Sequence, residues 1–453
     1  MKAFKAYDIR GEWQKDLNED IAYRIGFFLP KVLPTNTFLV GRDIRISSDA
    51  MFNALTRGLT DAGVNVDSIG LSTTPMVYWA TAQYKYQASV MITASHNPKN
   101  HNGLKISSAG AIPVGYDTGL NELERLVENE DIVITAERGS IRDIDTKEEY
   151  ISFQKRYCKD FDSLKVGIDC SNGMAGLFAK KLFGDNAIYI NDNMDGNFPC
   201  HEPNPLEAEN QEQIKKLVLE RGCDIGLLFD GDADRVIFID ENGQFISPDL
   251  IIALLGDYFL GERKEQGIVL QDIRSSRAIQ EYLRPYNNEV VTWRVGRAYA
   301  AIKLRELNGA YGGELAGHYY FRDFYYSDSA LMAASITLSI LNKRKKNGQS
   351  LSQIIREISS YHNSGEINFK IAEKQNAMDA IRTFFSQQEK PITFADFDGY
   401  RLDYNDYWLN IRPSNTEPYL RFIAEAKDSN KLKTIIENTK KIISDYGGVC
   451  VSQ

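Results

Sequence analysis

Thr93-Ala94-Ser95-His96-Asn97-Pro98 follows the apolar run Ser89-Val90-Met91-Ile92. The run predicts a buried strand, and Asn97-Pro98 predicts a turn at its end. A serine hydroxyl is therefore expected at the exposed end of a strand, on a stiff turn, beside a histidine. That is a place where a nucleophile can act. An ordinary polar turn closing a strand is the alternative. Three later stretches supply what a phosphorylated serine needs, and they favour the first reading.

Working outward, residues 1–150 read as one α/β domain. Thr37 to Gly41 is strand-like, and Ser48 to Ala62 a helix with Ser47 or Ser48 as N-cap. Val64 to Leu71 reads as a strand and Pro75 to Tyr84 as a helix. Lys105, just past the serine turn, is placed to return to the same site. A second α/β domain, 151–255, opens with the strand Leu164 to Asp169 and a tight turn into a helix. Its strand Asp224 to Phe229 ends in Asp230-Gly231-Asp232-Ala233-Asp234-Arg235. A third α/β domain, 256–368, carries Gly312-Gly313-Glu314-Leu315-Ala316-Gly317-His318. The last domain, 369–453, mixes strands at Tyr407 to Ile411 and Leu420 to Ala424 with a lysine-rich amphipathic helix. It reads as α+β.

At 453 residues the chain is too long for one core. Its composition is that of a soluble protein. A net charge of −9 argues against a general nucleic-acid or membrane-surface role, but a local basic cluster can still hold a phosphate substrate. The N-terminal residues lack a signal peptide's apolar run, and Ala330 to Leu341 is too short to span a bilayer. Cys158, Cys170, Cys200, Cys223 and Cys450 form no C-x-x-C pair and read as reduced thiols of a cytoplasmic protein.

Asp230, Asp232 and Asp234 repel one another unless a cation neutralises them or one stays protonated. All-oxygen ligands suit magnesium or calcium. Arg235 stands where an EF-hand loop needs glycine, and strands flank the motif, so that motif is rejected. Three ligands leave coordination open for a substrate or phosphoserine oxygen. Glu314, in a glycine-rich loop, can accept hydrogen bonds from vicinal sugar hydroxyls; a structural turn is the alternative. Arg412-Pro413-Ser414-Asn415-Thr416-Glu417-Pro418, with Arg421, offers guanidinium groups and clustered donors to a phosphate. Together these features point to phosphoryl transfer on a sugar phosphate.

These four loops, in this order, resemble the signature loops of the α-D-phosphohexomutase family. Tyr7-Asp8-Ile9-Arg10-Gly11 and Gly41-Arg42-Asp43 resemble its N-terminal markers. The resemblance spans the chain and implies three related mixed α/β domains plus a C-terminal α+β domain around one central cleft. It implies a phosphoserine at Ser95, with Mg²⁺ held by that phosphate and by Asp230, Asp232 and Asp234. It implies exchange between hexose 1-phosphate and hexose 6-phosphate through a hexose 1,6-bisphosphate, which also serves as activator. Glu314 and His318 would hold sugar hydroxyls. Arg412, Ser414, Asn415, Thr416 and Arg421 would hold the non-reacting phosphate. Tyr7, Arg10, Lys105 and Arg235 would line the reacting end. Lys105, with a lowered pKa, is the expected general acid or base, and His96 the second choice.

Ala316 replaces a serine common in the family. Arg297 stands where many members have histidine, and is expected to add a cationic contact to phosphate. Tyr319-Tyr320-Phe321-Arg322-Asp323-Phe324 looks most like the bacterial phosphomannomutase branch, which often also uses glucose phosphates. A phosphoglucosamine mutase and a serine-dependent sugar phosphatase are the alternatives. The expected partners are small sugar phosphates, without nucleic acid or membrane, on a monomer or weak dimer.

Overall fold

The computed structural model describes residues 1–134, 137–414 and 419–452. Four sheets follow one another along the chain. In the first, the parallel strands Thr37–Arg42, Asn65–Leu71 and Ala88–Ile92 form the centre. His101–Ser108 and Ile9–Glu12 add antiparallel strands at one side. Ala88–Ile92 is buried at every position, as its unbroken apolar run requires. Thr73 caps the next helix, Thr74–Gln83, by accepting from the Met76 N–H at 3.1 Å. Ser47 sits at the N-cap position of Ser48–Asp61, but its hydroxyl makes no capping bond. It accepts instead from Asn102 Nδ2 at 2.8 Å.

The second sheet runs in the order Phe245–Ile246, Val236–Asp240, Ile225–Phe229, Val166–Asp169, Ile188–Ile190. The third runs Val290–Trp293, Val269–Asp272, Tyr311–Gly313, Tyr319–Phe321, Ser327–Asp328. The fourth is antiparallel throughout, with Tyr407–Pro413 and Tyr419–Ala426 at its centre. It also contains Ile367–Lys370, Thr393–Ala395, Tyr400–Asp403 and Val449–Ser452, which their short mixed sequences do not announce.

The expected divisions between units fall inside continuous elements. The one at 150 lies in the helix Lys147–Lys155, and the one at 368 in the strand Ile367–Lys370. The one at 255 lies in Pro248–Gly256, which continues as a π-helical turn to Glu262. This helix is apolar nearly all round because it lies between layers, so no polar break marks the boundary.

One apolar core runs through the first three units, from Leu39 in the first to Ile358 at the end of the third. The C-terminal unit has a separate core, from Ile367 to Ile443. Polar contacts join the two bodies: Arg401 Nη1 donates to the carbonyls of Ile273 and Ser275, both at 2.8 Å, and Ser276 donates to Glu425 at 2.8 Å. Among the described residues no helix is long and apolar enough to cross a membrane. Ala330 to Leu341 is instead buried within the helix Ala330–Lys346.

In the second unit the imidazole of His201 lies between two acceptors. Nε2 is 3.2 Å from Asp169 and Nδ1 2.8 Å from the Glu202 carbonyl. Both nitrogens donate only in the charged ring. Burial opposes that charge, but Asp169 outweighs it and raises the pKa above 6.5. The contact therefore stabilises the fold fully below the unfolded value and loses its effect as pH rises through the higher folded value. His201→Gln should lower the melting temperature most in acid, and the two proteins should converge above that window. A gap that widens with pH would contradict the assignment.

Candidate active site

Ser95 ends the buried strand Ala88–Ile92 in left-handed backbone, φ +52°. Its N–H donates to Thr93 Oγ1 at 2.9 Å. The turn is held from below by Arg45, whose guanidinium donates to the carbonyls of Ser95 at 2.7 Å, Asn97 at 2.6 Å and Pro98 at 2.7 Å. Asp43 balances its charge at 3.3 Å. The sequence reading passes over Arg45; the adjoining Gly41-Arg42-Asp43 is the nearest signal. The hydroxyl is not exposed as expected: Ser95 is 1% exposed, because the aspartate loop of the second unit covers it. Its Oγ donates to Asp230 Oδ2 at 3.0 Å and lies 3.4 Å from His96 Nδ1. A Cβ on Gly231 would stand 2.6 Å from the Ser95 carbonyl, so only glycine lets the two loops meet.

Asp230, Asp232 and Asp234 are all fully buried, with one oxygen of each within 4.8 Å of the others. Thr74, at the start of its helix, donates through its hydroxyl to Asp232 Oδ2 and through its N–H to the Asp232 carbonyl at 3.1 Å. Burial, then Asp234 and Asp232, push the Asp230 carboxyl well above its ordinary range. Oδ1 of Asp232 and of Asp234 is buried without a hydrogen-bond partner. Unsatisfied hard oxygens in this arrangement fit a divalent cation. Lys105 Nζ lies 2.7 Å from Asp232 and 2.5 Å from Asp234. This overturns the expected lowered pKa. Burial does favour the neutral amine, but the two carboxylates outweigh it and hold the ammonium well above its ordinary value. For His96 the balance is opposite: burial, then Arg235, Arg10 and Lys105, keep the imidazole neutral. Arg10 donates to Asn97 Oδ1 at 3.0 Å and pairs with Asp8 at 2.5 Å, beside the serine turn.

The second and third units join through Arg235, whose Nε donates to His318 Nε2 at 3.0 Å. His318 Nδ1 in turn donates to Asp328 Oδ2 at 2.7 Å, which fixes the tautomer. Arg297, expected to contact phosphate, has two protein partners and leaves Nη2 buried without one. Its Nε pairs with Asp328 at 3.1 Å and its guanidinium lies 3.7 Å over the Tyr78 ring. Asp328 carries no local sequence pattern that marks it. Glu314 is buried, which raises its pKa, and accepts from the Gly296 N–H at 2.8 Å. Tyr319, Phe321 and Phe324 are core side chains, whereas the buried Tyr320 ring stacks on His318 at 6.2 Å.

In the C-terminal unit Arg412 and Arg421 are directly opposed across antiparallel strands, so both side chains project from one face. Arg412 Nε donates to Asp398 Oδ1 at 3.0 Å, while Arg421 pairs with Glu366 at 2.9 Å. The Ser414 N–H donates to the Tyr419 carbonyl at 2.9 Å. Asn415 and Thr416 lie outside the described residues. Tyr7 donates to the Val295 carbonyl at 3.1 Å, and burial raises its pKa to about 12. Hydrogen bonds and ion pairs thus run unbroken from Ser95 through Asp230 and Arg235 to His318, and from Tyr7 and Glu314 through the Val295–Gly296 turn to Arg412. The serine, aspartate and Glu314–His318 loops and the described Arg412 are thus linked through shared partners.

The chain matches the phosphoglucomutase/phosphomannomutase family along nearly its whole length. The alpha/beta/alpha domains I, II and III match residues 1–133, 148–243 and 247–361, and the C-terminal domain matches residues 366–442. It is 34% identical to a phosphomannomutase of Methanocaldococcus jannaschii, over 98% of each chain. It is 36% identical to a phosphomannomutase of Salmonella typhimurium, over 94% of this chain and 95% of that protein. The crystal structure of a phosphoglucomutase/phosphomannomutase family protein from Burkholderia thailandensis superimposes with a TM-score of 0.88, at 27% identity and 98% coverage of each chain.

Proposed function

Because this chain belongs to the phosphoglucomutase/phosphomannomutase family, and is thus a phosphohexomutase, we propose that it interconverts mannose 1-phosphate and mannose 6-phosphate, and the glucose phosphates as well. The observation that carries the reading is the meeting of Ser95 Oγ with Asp230, at 3.0 Å, beside the buried aspartates of a different unit. That arrangement sets a phosphorylated serine against the carboxylates that would hold a divalent cation, and the cation would balance the charge at the point of transfer.

In this reading Ser95 carries the phosphoryl group and a hexose 1,6-bisphosphate is the intermediate. The P–O bond to Ser95 breaks as a bond to a sugar oxygen forms. The sugar hydroxyl's proton leaves, and the Ser95 oxygen takes one up. The bisphosphate then turns, and Ser95 accepts the other phosphoryl by the reverse chemistry. Asp230, Asp232 and Asp234 would hold Mg²⁺, which supplies positive charge to the transferring oxygens. Lys105, Arg10 and Arg235 add fixed positive charge at the same end. His96 Nδ1, 3.4 Å from Ser95 Oγ, is the nearest nitrogen for proton transfer. Glu314 and His318 hold sugar hydroxyls, and Arg412, Ser414 and Arg421, with Asn415 and Thr416, hold the non-reacting phosphate. The net charge of −9 favours these small substrates over nucleic acid, and the absence of a disulfide among the described cysteines suits the cytoplasm.

A coupled assay with Mg²⁺ and trace hexose 1,6-bisphosphate tests this. Mannose 1-phosphate and glucose 1-phosphate should both yield the 6-phosphate. Phosphate release faster than isomerisation would make the protein a phosphatase. Conversion of neither sugar would move the substrate to glucosamine phosphate.

A further inference from the structure

Asp398 lies in a loop of the C-terminal unit between Thr393–Ala395 and Tyr400–Asp403. Its side chain is 8% exposed, and both oxygens are committed, one within its own unit and one across the boundary to the third. Oδ1 accepts from Arg412 Nε at 3.0 Å within its own unit. Oδ2 accepts from the Val295 N–H of the third unit at 2.8 Å. Gly399 presses the loop onto Arg412: its φ is +70°, and a Cβ there would stand 2.4 Å from the Arg412 Cβ. Phe397 stacks on Trp293 at 5.6 Å, closing the same contact from the other side.

The Val295–Gly296 turn serves three parts of the protein at once. The Val295 N–H reaches Asp398, its carbonyl accepts from Tyr7 of the first unit at 3.1 Å, and the Gly296 N–H reaches Glu314 at 2.8 Å. Gly296 has φ +126°, and a Cβ there would stand 2.7 Å from the Tyr7 ring. The turn therefore has little freedom to move under one partner without moving under the others. On the Arg412 side, fixing Nε leaves the other edge of the fork, where Nη2 is buried without a partner. That is the edge an anion can take.

We propose that Asp398 is a positioning residue that couples Arg412 to the Val295–Gly296 turn, so that seating a sugar's phosphate on the C-terminal unit and setting Glu314 against its hydroxyls become one event. This rests on Arg412 and Glu314 holding substrate, as in the preceding subsection. The coupling acts on binding, so its loss raises KM more than it lowers kcat.

The test uses the full-length enzyme, with mannose 1-phosphate as substrate, as Asp398→Ala, Tyr7→Phe and the double variant. Asp398→Ala should raise KM roughly tenfold, the weight of one charge-assisted contact, with kcat lowered less than about threefold. In the Tyr7→Phe background the same substitution should cost several-fold less, because the turn is already released. Asp398→Asn, of the same shape, should fall between wild type and alanine, and covers the case in which the alanine variant does not fold. Multiplicative effects of the two substitutions, or a wild-type KM in either Asp398 variant, would overturn the coupling while leaving the mutase reading intact. A wild-type enzyme that converts no hexose phosphate would overturn both.

Discussion

Ser95→Ala is expected to lower conversion of hexose 1-phosphate by roughly 10⁴-fold or more, the loss typical of removing a covalent nucleophile. The protein itself should remain folded. The backbone bonds that shape the turn, from Ser95 N–H to Thr93 and from Arg45 to the Ser95 carbonyl, do not use the hydroxyl. The left-handed φ of +52° costs alanine on the order of 1 kcal/mol, about what it already costs serine. The hydroxyl's bond to Asp230 is lost, but that carboxyl is already pushed toward its neutral form by burial. Intact-protein mass spectrometry should find the added mass of one phosphoryl group on the active wild type and none on the variant. A Ser95→Ala enzyme retaining a tenth of wild-type turnover would rule out the serine as phosphoryl carrier.

Removal of divalent cations should be nearly as damaging. Chelation is expected to lower conversion about 100-fold or more, with recovery on adding Mg²⁺. The reason is charge. Three buried carboxylates face the Lys105 ammonium and, at 3.8 to 4.0 Å, the Arg235 guanidinium, and a phosphoserine would add about −2 more. An ion binding here must displace Lys105 from oxygens it already holds, and the orphaned Oδ1 atoms of Asp232 and Asp234 are what it gains. Binding is also readable without turnover. At a hundred times its Kd, Mg²⁺ should stabilise the fold by about 2.7 kcal/mol, and Asp232→Ala should abolish the shift. Equal melting curves with and without Mg²⁺ in the wild type would argue against the site.

Much of this site was legible because each loop terminates an apolar strand. Ile225–Phe229 delivers the aspartates and Ala88–Ile92 the serine, and both strands are buried throughout. What stayed hidden depends on partners remote in sequence. The burial of Ser95 comes from Asp230, 135 positions away. The elevated pKa of Lys105 comes from carboxylates 127 and 129 positions on, whereas local charge suggested the opposite sign. Arg45 reads as a solvated arginine until its carbonyl partners, 50 to 56 positions later, are in place. Asp328 and Asp398 are isolated acids without a pattern. Arg297 has a local setting that suits a phosphate contact, and its actual choice of Asp328 and Tyr78 is a packing outcome.

The separate core of residues 367–443 also bears on how this protein comes apart. The first three units share one apolar cluster beside the first unit's own, whereas the last is joined to them by hydrogen bonds and the stack of Phe397 on Trp293. It can therefore melt or open as its own foldon at a lower free energy than the rest. Its amides should exchange with solvent while those of Ala88–Ile92 stay protected, and unfolding of the chain should then depart from a single two-state midpoint. A substitution that weakens this small body would act as a tax on substrate affinity, through the fraction of molecules whose phosphate clamp is assembled, and leave the serine and its aspartates untouched.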